Sequence, residues 1–480
     1  MPTHTRSKSI YNNNEHCNNL SSSSTATTIK IEPTTTEKDK PLYFHEKVEQ
    51  IHHHEDIKNE SITHHSLSSY NEDDKESVES YCATDDGGYG WCVVFGAFMG
   101  TFTIYGIMIN HYVEKLFSGQ KGVTTLLSLV GVLISFIGGI FAPISNMIES
   151  ILGVRKTLFI ATLLISGGFG AAGSATEIWQ LYLALGICFG MGFSMMIMVT
   201  SKTVPMWFFR KRSTAMGIIA SSGGLGGLIL PFIITPLNSS LGISWTFRIL
   251  AGCFFVINLI TTLLVKEKNP PTKRTFKNPC DVLQLNLLQN TNFLMWCLAA
   301  FLQVSYMNML FYFLPSYATY VGLNTIQGSA LVSVTAASTF VGRLSVGMLA
   351  DRAGNLNMCI LFNSVTSLAS FFIWTFAYDF AGLLVFAITH GFFGGCYLAL
   401  LAPIVRTVLG PEKFPSGFAL VSFIVAPAYA GPSIASALEN ITTIEPFMVF
   451  KLFIGCTSLG TVIVVLILKL RMKRQLWAKI

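Results

Sequence analysis

Arg343 stands in the middle of Thr335 to Asn355, a stretch made mostly of apolar and small residues. A guanidinium is a permanent cation with five donors in a planar fork, a shape that matches a carboxylate. Inside a bilayer it is costly unless it faces a wet cavity or a partner. Two chemistries fit such a residue: gripping an anionic group of a solute, or bonding a carbonyl within a helix bundle. Thr335, Thr339, Arg343 and Gly347 recur at i+4 and form one polar or small stripe. Phe340, Leu344 and Met348 fall on another face. Arg343 lies about 12 Å along a helix axis from Asp351, too deep for an ordinary helix-end charge.

Other residues could line the same space. Gln303, Tyr306, Asn308, Tyr312 and Tyr317 share one apolar run, in which Pro315 is expected to bend the helix. His390, Phe392 and Tyr397 share another, and Asn110 and His111 close the first. Tyr306, Phe392 and Asn110 join Arg343, Thr339 and Thr335 as candidate solute-binding residues. Each also fits a plain packing role, and a lone His390 on an apolar helix fits a hydrogen-bonded core.

Covalent and metal chemistry find no support. There is no phosphate-binding Walker loop, no His-Glu-x-x-His and no nucleophile elbow, so neither an enzyme nor an ATP-driven pump is expected. The 10 cysteines are scattered without a C-x-x-C pair, which speaks against a zinc site or a disulfide framework. His52, His53, His54, His64 and His65 sit in a polar, low-complexity tract and read as solvated. Neither metal nor cofactor is expected.

The elements that must position these residues are membrane helices. Of 480 residues, 51% are hydrophobic and 12% charged, the latter about half the ~25% of soluble proteins. The charges gather in residues 1–84 and in short loops. Between them run apolar segments near the ~20 residues a span requires. They read as 89–111, 123–147, 156–176, 178–200, 213–237, 244–265, 293–320, 327–350, 356–377, 380–402, 415–438 and 447–469. The fold class is therefore an all-α membrane protein of twelve transmembrane helices, arranged as two six-helix halves. The organisation expected is a disordered cytoplasmic tail at 1–84, a first half at 85–265, a cytoplasmic linker at 266–292, a second half at 293–470 and a short tail at 471–480. The tail lacks the basic and apolar regions of a cleavable signal. Basic residues follow every second span, which places both termini in the cytoplasm. They flank hydrophobic runs, so the net charge of +6 implies lipid rather than nucleic acid as a partner.

Two turns carry matching motifs. Gly347-Met348-Leu349-Ala350-Asp351-Arg352-Ala353-Gly354 resembles the inner-loop signature of the major facilitator superfamily. Its acid can cap or ion-pair at a neighbouring helix end, and the pair can break as the halves rock. The earlier copy has Glu149, Gly153 and Arg155, with Ser150 where the second copy has an acid. Asp351, Arg352 and Glu149 are thus candidate latch residues.

A narrower resemblance rests on two signatures. Asp85-Asp86-Gly87-Gly88-Tyr89-Gly90-Trp91 is similar to the opening of the monocarboxylate transporter family. Trp207-Phe208-Phe209-Arg210-Lys211-Arg212, followed by Ala215-Met216-Gly217, is similar to its second signature. Asp86, Gly87, Gly88, Trp91, Arg210, Arg212 and Gly217 carry the match. The resemblance covers about 85–470 and implies alternating-access transport of a small organic solute, with Arg343 in the place of the family's arginine. In lactate carriers an aspartate precedes that arginine by one turn, where this chain has Thr339, and a lysine stands where it has Ile109. The chain thus looks like a divergent or fungal member. A monocarboxylate-type anion is the first expectation, with protons as a partner to be tested. The alternatives are a larger or neutral organic solute such as riboflavin, or a non-transporting nutrient sensor working through the tail and an accessory protein. The plasma membrane is the expected location, with a vacuolar or other internal membrane as the alternative.

Overall fold

The computed structural model describes residues 87–104, 123–268, 284–442 and 445–473. These are helical almost throughout, with no strand among them. In chain order the helices are α1 Tyr89–Ile104, α2 Val123–Ile140, α3 Ala142–Leu152, α4 Val154–Ala172, α5 Ile178–Met206, α6 Arg212–Leu241 and α7 Ile243–Leu264. The second half of the chain gives α8 Thr291–Tyr320, α9 Thr325–Ala353, α10 Asn355–Trp374, α11 Phe380–Gly394, α12 Cys396–Val425, α13 Gly431–Ile441 and α14 Met448–Met472.

Among the described residues nine helical runs are long and apolar enough to cross a bilayer, or ten if the bent pair α2–α3 is one span. The run Phe380–Ile441 has 62 residues, roughly 90 Å if straight and three times a hydrocarbon core. It is broken by a kink at Gly410, whose φ is 79°. With that kink, and with the shorter α1, the helices follow the twelve runs of the sequence. Large apolar side chains such as Phe232, Leu263, Phe372 and Phe376 cover the outside, as a lipid-facing surface requires.

The interruptions differ in detail from expectation. The second span bends by 51° at Phe141 and continues to Leu152 rather than ending near 147. Pro143 sits in the first turn of α3, where its missing N–H costs nothing. The seventh span breaks at Asn308, while Pro315 stays within a helical segment. Short π-helical turns interrupt α5 at Tyr182–Phe189 and close α10 at Ala369–Trp374.

Four turns are single glycines: Gly153, Gly242, Gly354 and Gly410 have φ between 79° and 95°. Each ends one helix while starting the next. At Gly354 the amide donates to the Ala350 carbonyl at 2.9 Å, and α10 begins at the following residue. An L side chain there would be strained by the backbone alone. Other ends are capped by side chains. Asn324 and Gln327 form a reciprocal capping box at the start of α9, and Asp379 caps α11.

Packing relies on small residues. A Cβ on Gly224 would lie 2.5 Å from the Phe340 nitrogen, so α6 and α9 cross nearly backbone to backbone. The second half also buries Lys451, 1% exposed, with its Nζ 4.8 Å from the Tyr317 ring centre and 5.3 Å from that of Tyr378. The ring faces solvate this cation in place of water.

Candidate functional site

Arg343 lies on the face of α9 that meets α6, and 6% of it is exposed. Its Nη1 donates to the Ala220 carbonyl of α6 at 2.9 Å. The close approach rests on glycines: a Cβ on Gly217 would sit 2.7 Å from the Arg343 carbonyl. The arginine is therefore bonded across the two halves of the chain, to a backbone carbonyl. On its other flank, a Cβ at Gly395 would lie 3.1 Å from Arg343 Nε and 3.2 Å from Thr339 Cγ2. Thr335 and Thr339 are buried, and their hydroxyls donate to Leu331 and Thr335 carbonyls at 2.8 Å each. Those oxygens keep acceptor capacity toward a ligand but have used their donor.

The remaining candidates fall elsewhere. The Tyr306 hydroxyl donates to Asn363 Oδ1 at 2.6 Å, inside the second half. Phe392 packs against Phe362 of α10, with ring centres 5.9 Å apart. Asn110 and Asp86 lie outside the described residues. Arg343 and Thr339 are thus brought together, while Tyr306 and Phe392 belong to the interior behind them.

A small, partly open cleft of about 50 Å³ lies between α2, α3, α5 and α12. Phe193, Met198, Tyr397, Phe418 and Tyr429 supply most of its wall, with Ser194 and Ser422 as small polar points. None of its lining residues is charged. Tyr397 is two residues beyond Gly395, so one short piece of α12 connects this wall with the arginine. The character of the cavity suits an apolar, flat or aromatic body.

The two turns bearing the repeated motif behave differently. The Asp351 carboxylate accepts from the Ser213 amide at 2.9 Å, the Thr214 amide at 2.8 Å and the Thr214 hydroxyl at 2.6 Å. It caps the start of α6, where orphan N–H groups and the helix dipole both favour a negative charge. Ser213 Oγ and Asn355 Oδ1, 2.7 Å apart, extend the contact. Arg352 is exposed beside it. Glu149, by contrast, is 2% exposed and ion-paired with Lys202 of α5, within the first half. The Ser150 hydroxyl donates within its own helix, to the Met147 carbonyl at 2.7 Å.

The signature residues build a joint. Gly88 starts α1 with a φ of 64°. Trp91 meets Phe208 edge-on at 5.0 Å, and the Tyr89 hydroxyl donates to the Leu264 carbonyl at 3.0 Å. Arg212 Nε donates to the Phe208 carbonyl at 2.7 Å, while Arg210 is exposed. Gly217 is the crossing point with Gly347 of α9. Sequence reasoning missed Ala220, Ser213 and Thr214 as partners. A carbonyl carries no sequence signal, and only the start of α6 after a basic cluster hinted at a cappable helix end.

The sequence profile of the Major Facilitator Superfamily matches residues 90–432. An uncharacterized transporter of Saccharomyces cerevisiae, ESBP6, is 25% identical over 409 residues, which cover 81% of this chain and 60% of that protein. The chain thus spans three fifths of that relative's length. An MFS-type transporter of Gibberella moniliformis is 28% identical over 399 residues, covering 82% of this chain and 94% of its own. The crystal structure of the human organic anion transporter MFSD10 (TETRAN) superposes with a TM-score of 0.67 at 14% identity, over 79% of this chain and all of that one.

Proposed function

The chain belongs to the Major Facilitator Superfamily, as a multi-pass membrane transporter with that fold, and we propose that it carries an organic solute with an anionic group by alternating access. The observation that carries this reading is the bond between Arg343 and Ala220 across the halves. A carbonyl is a weaker partner for a guanidinium than a carboxylate, which offers two charged oxygens. A solute anion entering between the halves displaces the carbonyl, and the exchange removes one of the bonds between α9 and α6. The resemblance to monocarboxylate transporters supports a carboxylate as that anion. The aromatic wall beside α12 supports an apolar, flat group on that anion.

Orientation follows from charge. The Asp351 turn shares its end of the bundle with Arg352 and the basic cluster 210–212. Positive-inside placement makes this end cytoplasmic. The latched state is then closed toward the cytoplasm.

The second reading is a neutral aromatic solute, favoured by the uncharged cavity wall. Proteoliposome uptake separates the two when a panel of aromatic carboxylic acids is compared with the matching primary amides. The expected result is preference for an acid, lost in Arg343→Ala and weakened at least tenfold in Arg343→Lys. The lysine keeps the charge and loses the bidentate fork. Equal acid uptake by Arg343→Ala, normalised to reconstituted protein, reduces the arginine to a structural bond.

A further inference from the structure

Behind Gly395, side chains of α8, α10 and α12 enclose two thiols. Cys359 and Cys396 are each 1% exposed, and one side chain, Asn363, reaches both sulfurs. Asn363 Nδ2 lies 3.5 Å from both sulfurs and donates to the Cys359 carbonyl at 2.8 Å. Gln303 Nε2 donates to the Cys396 sulfur at 2.8 Å. Tyr306 closes the network onto Asn363. Two thiols from different helices therefore share one site, with amide N–H groups directed at sulfur.

We propose that Cys359 and Cys396 form a buried dithiol site for a bivalent soft electrophile, of the class of trivalent organoarsenicals. The chemistry suits the surroundings. An arsenic oxide R–As=O condenses with both thiols: two S–H bonds break, two As–S bonds form, and both protons leave with the oxygen as water. No oxidant is needed. The product is neutral, so it avoids the cost of a charge in a dry interior. The amide donors of Gln303 and Asn363 face sulfurs that keep their acceptor lone pairs after bonding to arsenic. The other described cysteines offer no such arrangement. Cys92, Cys253 and Cys456 are exposed, Cys188 bonds the Leu164 carbonyl, and Cys297, though buried, has no second thiol bonded to it among the described residues. Cys396 directly follows Gly395, on which Arg343 and Thr339 pack, so a bridge from α10 to α12 would fix the wall behind the arginine.

The test uses the full chain purified in detergent and treated with phenylarsine oxide. Excess 2-mercaptoethanol then strips arsenic held by a single sulfur, and elemental analysis counts what remains. Cys359→Ser and Cys396→Ser should each lose one arsenic per chain relative to the unsubstituted protein. The double variant should also lose one, not two. The same arsenic should leave with 2,3-dimercaptopropanol. Equal retention in either single variant and the unsubstituted chain overturns the proposal. Alanine at the same positions serves if serine disturbs the gel-filtration profile. As an independent readout, the arsenical should raise the thermal midpoint of the unsubstituted chain by several degrees and leave that of both variants in place. A rise of equal size in the variants would overturn the site. Neither readout depends on the solute, so this result and the uptake result fail separately.

Discussion

The turn after α3 and the turn after α9 occupy corresponding places in the two halves, yet they hold different things together. Glu149 reaches Lys202 and ties α3 to α5 inside the first half. Asp351 reaches across and caps α6 with three hydrogen bonds. The partners explain the difference. The helix that begins at Arg212 offers the Ser213 and Thr214 amides and a hydroxyl. The helix that restarts after Gly410 begins with Pro411, which has no N–H, and Glu412, which already supplies a negative charge. The Asp351 contact thus has the geometry of a latch, and the Glu149–Lys202 pair that of a brace.

That distinction can be broken experimentally. The largest effect is expected from Glu149→Ala, which leaves Lys202 without its ion-pair partner. Breaking such a buried pair costs about 3–5 kcal/mol, so thermal unfolding in detergent should begin well below that of the parent. A brace affects stability alone, so maleimide labelling of an Ala350→Cys reporter at the latched end should proceed at the parent rate wherever both remain folded. Next comes Asp351→Asn. Loss of a charged cap is worth about 1–3 kcal/mol of bias between states, roughly 5–150-fold. The same reporter should label faster by at least fivefold, with little change in unfolding temperature. A matching stability loss without faster labelling would turn the latch into a second brace. The smallest effect sharpens the comparison from the other side. Ser150→Asp with Glu412→Ser installs an acid in the first turn and removes the competing one opposite. A new helix-end interaction of about 0.3–1 kcal/mol should slow labelling by about 2–5-fold. Ser150→Asp alone should do less, and equal slowing by the single and the double change would show that Glu412 is not what disables the first turn.

Much of this was readable before any coordinates. Hydropathy placed the spans because a bilayer demands about twenty apolar residues from each. The Asp351 motif was legible because an acid beside a glycine turn has few roles other than capping. Arg343 stood out by depth alone. What could not be read was who meets whom. The bond to Ala220 uses a backbone carbonyl that every residue possesses. The pairing of Cys359 with Cys396 depends on the crossing of α10 and α12, which scattered cysteines do not announce. Tyr306 shared a helix with plausible cavity residues, but its hydroxyl bonds Asn363 inside the second half, while Phe392 stacks on Phe362 and is partly buried. The break at Asn308 replaced the one expected at Pro315 because a proline in a membrane helix can be accommodated by its neighbours.

The single-glycine turns at Gly153, Gly242, Gly354 and Gly410 bear on how force travels through this protein. A flexible loop absorbs displacement, since many soft torsions share it. A one-residue connection offers two torsions and no spare length. When α9 is released from α6, α10 cannot stay behind, because Gly354 transmits the pull as a rigid crank would. The moving parts are then helix pairs rather than helices, and the gearing between them is set by these four glycines.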